Sequence, residues 1–192
     1  MNHIPEHYLL SGQASPPRTL CDVLDATAKS FPDAPAIDDG DTTLSYRELL
    51  AIVRRTASRL RDAGVPRGGR VGIRMPSGSR DLYIAILGTI YAGAAYVPVD
   101  ADDPEERATL VFGEAGVDAI ITADGIENLP GANTTGAANT GDGRPDITDD
   151  AWIIFTSGST GTPKGVAVTP PQPAPVLRAR GRPFPGRRSP PP

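Results

Sequence analysis

The run Thr156-Ser157-Gly158-Ser159-Thr160-Gly161-Thr162-Pro163-Lys164-Gly165 follows directly on an apolar segment, Trp152-Ile153-Ile154-Phe155. Four apolar residues bounded by turn formers read as a buried strand. A strand that opens into glycine, serine and threonine is built to cradle an anion. Glycines reach positive φ without steric cost, so several backbone N–H groups can converge on one oxyanion. The hydroxyls add donors, and the Lys164 ammonium adds a compact positive charge. The stretch predicts binding of ATP phosphates.

Working back from this loop, helical and strand patterns alternate. Leu20, Val23, Leu24, Thr27 and Ala28 recur at helical spacing, and Phe31-Pro32 ends that helix. Ala36-Ile37 predicts a short strand. Ser45 and Glu48 form an S-x-x-E capping box with Leu44 and Leu49 as its hydrophobic staple, and Gly64 stops the helix they begin. Arg54, Arg55, Arg59 and Arg61 on that helix read as a solvated face. Arg70–Met75 predicts a strand, and a helix follows from about Ser79 to Ala92. Ala95–Val99 is the next strand, Asp103-Pro104 opens another helix with Asp103 as its N-cap, and Val117–Thr122 is a further strand. Residues 123–150 are polar and read as one long surface connection.

This alternation predicts an α/β fold with a mostly parallel sheet and covering helices. Ligands of such sheets bind beyond the carboxyl ends of the strands, where the Thr156–Gly165 loop would sit. Three segments are expected: a loose arm over 1–18, the folded region over 19–168, and a tail over 169–192.

Composition narrows the function. The 192 residues are 39% apolar and 22% charged, a globular balance, with a net charge of -4. Thr169–Pro192 holds five arginines and no acid, so the remainder carries 14 basic and 23 acidic residues. An acidic body argues against nucleic acid as a partner. Met1–Leu10 has no basic segment and no long apolar run, and no stretch has the length of a membrane span, so a cytoplasmic protein without a membrane partner is expected. Cys21 is the single cysteine, which excludes an intramolecular disulfide and a cysteine-built metal centre. His3 and His7 lie at i,i+4 but with no third ligand nearby. Tyr96 reads as core packing and Asp100 as a strand-end turn.

The mechanistic rival is the G-x-x-x-x-G-K-[ST] phosphate loop. Here Pro163 replaces the glycine before the lysine, and Gly165 stands where a metal-binding hydroxyl is required. The loop instead resembles the phosphate-binding signature of adenylate-forming (AMP-binding) enzymes, which include nonribosomal peptide synthetase adenylation domains, acyl-CoA synthetases and luciferases. Leu44–Leu49 is similar to the first core motif of adenylation domains. Gly88–Asp100, with its Ala92-Gly93-Ala94-Ala95-Tyr96-Val97-Pro98-Val99-Asp100, is similar to the second and leans toward amino-acid activation.

The resemblance implies a two-step reaction: a carboxylate attacks the ATP α-phosphate, giving an acyl adenylate and pyrophosphate, and a thiol then takes the acyl group. It implies ATP and magnesium, a small carboxylic or amino acid, and a carrier-protein domain bearing phosphopantetheine. It assigns phosphate contacts to Thr156, Ser157, Ser159, Thr160 and Lys164, and backbone approach to Gly158, Gly161 and Gly165. No catalytic residue and no metal ligand is assigned.

The family's later motifs, for adenine, ribose, magnesium and the catalytic lysine, are not found after Val168. Thr140-Gly141-Asp142 spells part of the ribose motif but precedes the phosphate loop, so it reads as chance. The chain is therefore expected to be the first part of an N-terminal ligase domain, with an inactive relic that binds nucleotide weakly as the alternative. The loss of acids and the gain of proline and arginine after Val168 predict a disordered or frameshifted tail.

Overall fold

A computed structural model describes residues 18–129, 145–146, 148–156 and 164–168. In chain order these form α1 (Leu20–Ser30), β1 (Pro35–Asp38), β2 (Thr43–Ser45), α2 (Tyr46–Asp62), β3 (Arg70–Met75) and α3 (Arg80–Tyr91). There follow β4 (Ala95–Asp100), α4 (Glu105–Ala115), β5 (Ala119–Thr122), β6 (Gly125–Asn128), β7 (Trp152–Thr156) and β8 (Lys164–Val168). Apart from Arg18, the expected N-terminal arm lies outside the described residues, as do Thr140-Gly141-Asp142 and the tail from Thr169.

Local chemistry sets the helix ends. At the start of α2 the Glu48 N–H donates to Ser45 Oγ at 3.3 Å, and the Ser45 N–H donates to Glu48 Oε2 at 2.9 Å, closing the predicted capping box. Donation from the Ser45 hydroxyl and N–H holds the Glu48 carboxyl below the usual range. Thr19 and Asp22 make the same reciprocal box at α1. Ser79 caps α3 through the Leu82 N–H at 3.2 Å. At the end of α2, Gly64 takes φ 87°, and the Val65 N–H reaches back to the Leu60 carbonyl at 3.1 Å. That bond and the buried Leu60–Val65 pair complete a Schellman stop. The expected Asp103 cap is corrected. Pro104 is the N-cap of α4 and makes no side-chain cap bond, while the Asp103 carboxylate accepts from Arg107 Nε at 3.0 Å.

The main sheet has the order β6-β5-β3-β4-β7-β8. Its four inner strands are parallel, and both edges, β6 and β8, pair antiparallel with their neighbours. β1 and β2 form a separate antiparallel pair. The sheet is thus mostly parallel, as expected, with an antiparallel strand at each edge. Part of the expected 123–150 connection is also corrected, because Gly125–Asn128 is a strand. Asp124 N–H donates to Thr122 Oγ1 at 3.2 Å and Gly125 takes φ 136°, turning the chain straight back along β5. The pairing needs backbone groups rather than an apolar run, so hydrophobic patterning does not reveal it.

Alternation along the strands divides the core in two. Val71, Ile73 and Met75 of β3 face one way, into a cluster shared with α1, α2 and α3. Ala95, Val97 and Val99 of β4 face the other way, against α4 and its Phe112. Gly72 pairs with Val97 and shares this second face, where a Cβ would stand 2.8 Å from the Phe112 ring. A side chain at Gly72 would displace the Phe112 ring from β3.

The three helices of the first face are tied together by polar bonds. Tyr91, on α3, donates its hydroxyl to the Cys21 carbonyl at 3.0 Å and to Asp25 Oδ1 at 3.1 Å, and Arg54 of α2 pairs with Asp25 at 2.7 Å. Burial and the Asp25 charge push the Tyr91 phenol well above its ordinary pKa, so it acts as a neutral donor. Arg61 donates to the Tyr91 carbonyl at 3.1 Å. Arg54 and Arg61 are therefore structural ties, beyond the solvated role expected from their spacing.

Close packing of α2 on α3 depends on Gly88, where a Cβ would meet Thr56 Cγ2 at 2.5 Å and Thr56 Cβ at 2.7 Å. The second contact is to the branching carbon, which no rotamer change moves. Alanine would gain about 1 kcal/mol of helix propensity, but the overlap outweighs it. Gly88→Ala is expected to destabilise the fold by about 1–3 kcal/mol, read as a lower urea midpoint. A midpoint at or above wild type would show that the helices move apart freely.

Candidate phosphate-binding site

β7 sits between β4 and β8, with Tyr96 level with Trp152 across the parallel pair. The Tyr96 N–H donates to the Ala151 carbonyl at 3.1 Å. The two rings lie 6.2 Å apart at 32°, and burial raises the Tyr96 phenol above its ordinary pKa. This is the packing role expected for Tyr96. The expected buried strand is only half buried. Ile153 points into the α4 cluster, whereas Ile154, on the opposite face, is 46% exposed.

Tyr96 and Trp152 each lie four residues before the ends of their strands. Asp100 and Thr156 therefore leave the sheet at the same carboxyl edge. The chain then returns as β8, whose residues pair with β7 from Thr156↔Lys164 through Phe155↔Gly165 to Trp152↔Val168. Residues 157–163 bridge the Thr156–Lys164 pair. Of the residues expected to meet phosphate, the structure places the backbones of Thr156, Lys164 and Gly165. Ser157, Gly158, Ser159, Thr160 and Gly161 lie outside the described residues.

The floor beside this hairpin is polar and cross-linked. Asp100, paired with Met75 at the end of β3, accepts the Ser77 hydroxyl and, at 3.0 Å, the Asp102 N–H. The Ser77 bond, chiefly, holds the Asp100 carboxyl below its usual range. Asp100 thus forms the expected turn and in addition pins the loop between β3 and α3, a tie between residues 23 apart that no local pattern signals. Arg74 reaches Glu105 as an ion pair and the Asp103 carbonyl at 3.1 Å, fixing the start of α4 to the same edge. Among the described residues no group of three or more His, Cys, Asp or Glu could hold a metal ion, and no helix is long and apolar enough to cross a membrane.

Gly165 has a packing reason as well as the proposed one. A Cβ there would stand 2.9 Å from Phe155 Cζ and 3.2 Å from Ile153 Cγ2. The nearer atom is the far tip of a half-buried ring, which can swing aside. Gly165→Ala is therefore expected to shift stability by less than about 1 kcal/mol, measured by urea unfolding followed at Trp152, the single tryptophan. A larger loss would mean that the Phe155 ring is locked.

The profile of the AMP-binding enzyme family matches residues 24–172. Syringomycin synthase SyrB1 of Pseudomonas syringae pv. syringae is 35% identical over 181 residues, covering 83% of this chain and 28% of that protein. The N-terminal subdomain of Klebsiella oxytoca NpsA, solved with anthranilyl-AMSN, superposes with a TM-score of 0.66 at 30% identity, over 80% of this chain and 41% of that one. The nonribosomal peptide synthetase FmoA3, in its alpha-methyl-L-serine-AMP bound form, gives a TM-score of 0.65 at 29% identity, over 82% and 19% of the two chains. The chain thus spans less than half the length of each of these relatives.

Proposed function

The chain belongs to the AMP-binding enzyme family, and from that premise we propose that it serves an ATP-dependent ligase that activates an amino acid as its adenylate and passes it to a thiol. The observation that carries this reading is the β7–β8 hairpin, whose Gly/Ser/Thr/Lys connection leaves the carboxyl edge of the sheet beside Asp100. Its donor set fits a polyphosphate: hydroxyls, glycine N–H groups and one ammonium. The amino-acid substrate is supported by the adenylate named with FmoA3 and by the peptide synthetases among the relatives.

In the proposed reaction a carboxylate oxygen of the substrate attacks the α-phosphorus, and the bond from that phosphorus to the bridging oxygen of the β-phosphate breaks. Pyrophosphate leaves with the electron pair. Lys164, Thr156, Ser157, Ser159 and Thr160 would hold the β- and γ-phosphates and stabilise the charge that grows on them as the bond breaks. Gly158, Gly161 and Gly165 would let the backbone approach. Magnesium would come with ATP and neutralise the same oxygens; the described residues provide no separate cluster for it. A thiol sulfur then attacks the acyl carbon and AMP departs. A phosphopantetheine-bearing carrier domain and a cytoplasmic setting belong to the same proposal.

Isotope exchange between pyrophosphate and ATP, run across the amino acids on the ligase that this chain is proposed to serve, tests the reading. Amino-acid-dependent exchange is expected, with Lys164→Ala lowering it by about tenfold or more, the scale of one lost charge-stabilising contact. Release of ADP in place of AMP, without exchange, would overturn it in favour of phosphoryl transfer.

A further inference from the structure

We propose that the trough between α4 and the β5–β6 hairpin is a binding site for a small apolar molecule that carries a protonated amine. The trough is a cavity of about 530 Å³. One wall is a flank of α4, on which Ala108, Thr109 and Phe112 recur at helical spacing. Gly113 continues that flank without a side chain, and a Cβ there would meet nothing within 4 Å. The space in front of Gly113 is therefore open. The facing wall is Ile120 of β5, Glu127 of β6 and Leu129.

The chemistry of the lining selects the ligand. Ala108 and Phe112 are buried at its base and suit a ring or alkyl body. Its charged lining is three carboxylates, Glu105, Asp118 and Glu127, against the single guanidinium of Arg74. Arg74 and Glu105 are committed to one another, and Asp118 accepts the Arg70 N–H at 2.7 Å. The Glu127 carboxylate, exposed at the rim, makes no hydrogen bond or ion pair among the described residues. An ammonium on the ligand would supply its partner. The trough lies against β5, not β7. β3 and β4 stand between β5 and β7, three strand spacings or roughly 14 Å.

The test uses the whole chain with two naphthalene probes of matched shape, 1-naphthylethylamine and 1-naphthylacetate, and follows binding by equilibrium dialysis. The amine is expected to bind more tightly than the acid by about tenfold, and Glu127→Gln to remove that preference at an unchanged unfolding midpoint. Gly113→Leu, which fills open space at a mid-helix position and improves helix propensity, is expected to abolish binding without loss of fold. Mg·ATP should not compete. The proposal is overturned if neither probe binds, if both bind equally, if the preference survives Glu127→Gln, if binding survives Gly113→Leu, or if Mg·ATP displaces the amine.

Discussion

The placement of β7 alongside β4 is the constraint on which the carboxyl edge depends. β8 is anchored through its pairing with β7, and β7 meets the rest of the sheet through β4. The Tyr96–Trp152 level, the ring contact above it and the bond from the Tyr96 N–H to the Ala151 carbonyl therefore fix the height at which the hairpin leaves the sheet. A slip of one residue would turn Ile153 out of the α4 cluster and Ile154 into it. It would also carry the start of the loop away from Asp100. Burial of Ile153 and the Tyr96–Trp152 packing thus do more than stabilise the fold; they set where β7 ends at the carboxyl edge.

The same edge is stiffened from the other strands. Asp100 joins the end of β4 to Ser77, and Arg74 joins the end of β3 to the first turn of α4. Exposed ion pairs contribute little to stability one by one. Here their consequence is geometric, since they hold three neighbouring connections in place around the base of the hairpin. Under the proposed function such a base matters, because donors held in place need less reorganisation when charge develops.

What could be read from the sequence was what short range decides. The Ser45–Glu48 box, the Gly64 stop, the alternation of helices with strands and the strand-loop-lysine order all involve residues within a few positions of one another. The Thr19–Asp22 box was equally local and was missed, because aspartate replaces the usual glutamate of the motif. β2 and β6 escaped for a different reason: each is three or four residues long and held by backbone pairing, with few apolar side chains to mark it. The remaining ties connect residues far apart in sequence. Gly88 against Thr56, Tyr91 on Cys21 and Asp25, and Ser77 on Asp100 exist only once the helices and strands have packed. Within the candidate site, residue types point to the Thr156–Gly165 stretch in the sequence, and the fold adds the edge at which β7 ends and β8 begins and the Asp100–Ser77 bond at that edge.

The central claim is that the connection between β7 and β8 grips the terminal phosphates of ATP. Phosphorus NMR of Mg·ATP tests it most directly, because the three phosphates give separate resonances. On addition of the protein the account predicts shifts and broadening at the β- and γ-phosphates, with a smaller change at the α-phosphate, and loss of the effect when pyrophosphate is added in excess. Unchanged phosphorus resonances with the protein in excess over Mg·ATP would contradict it.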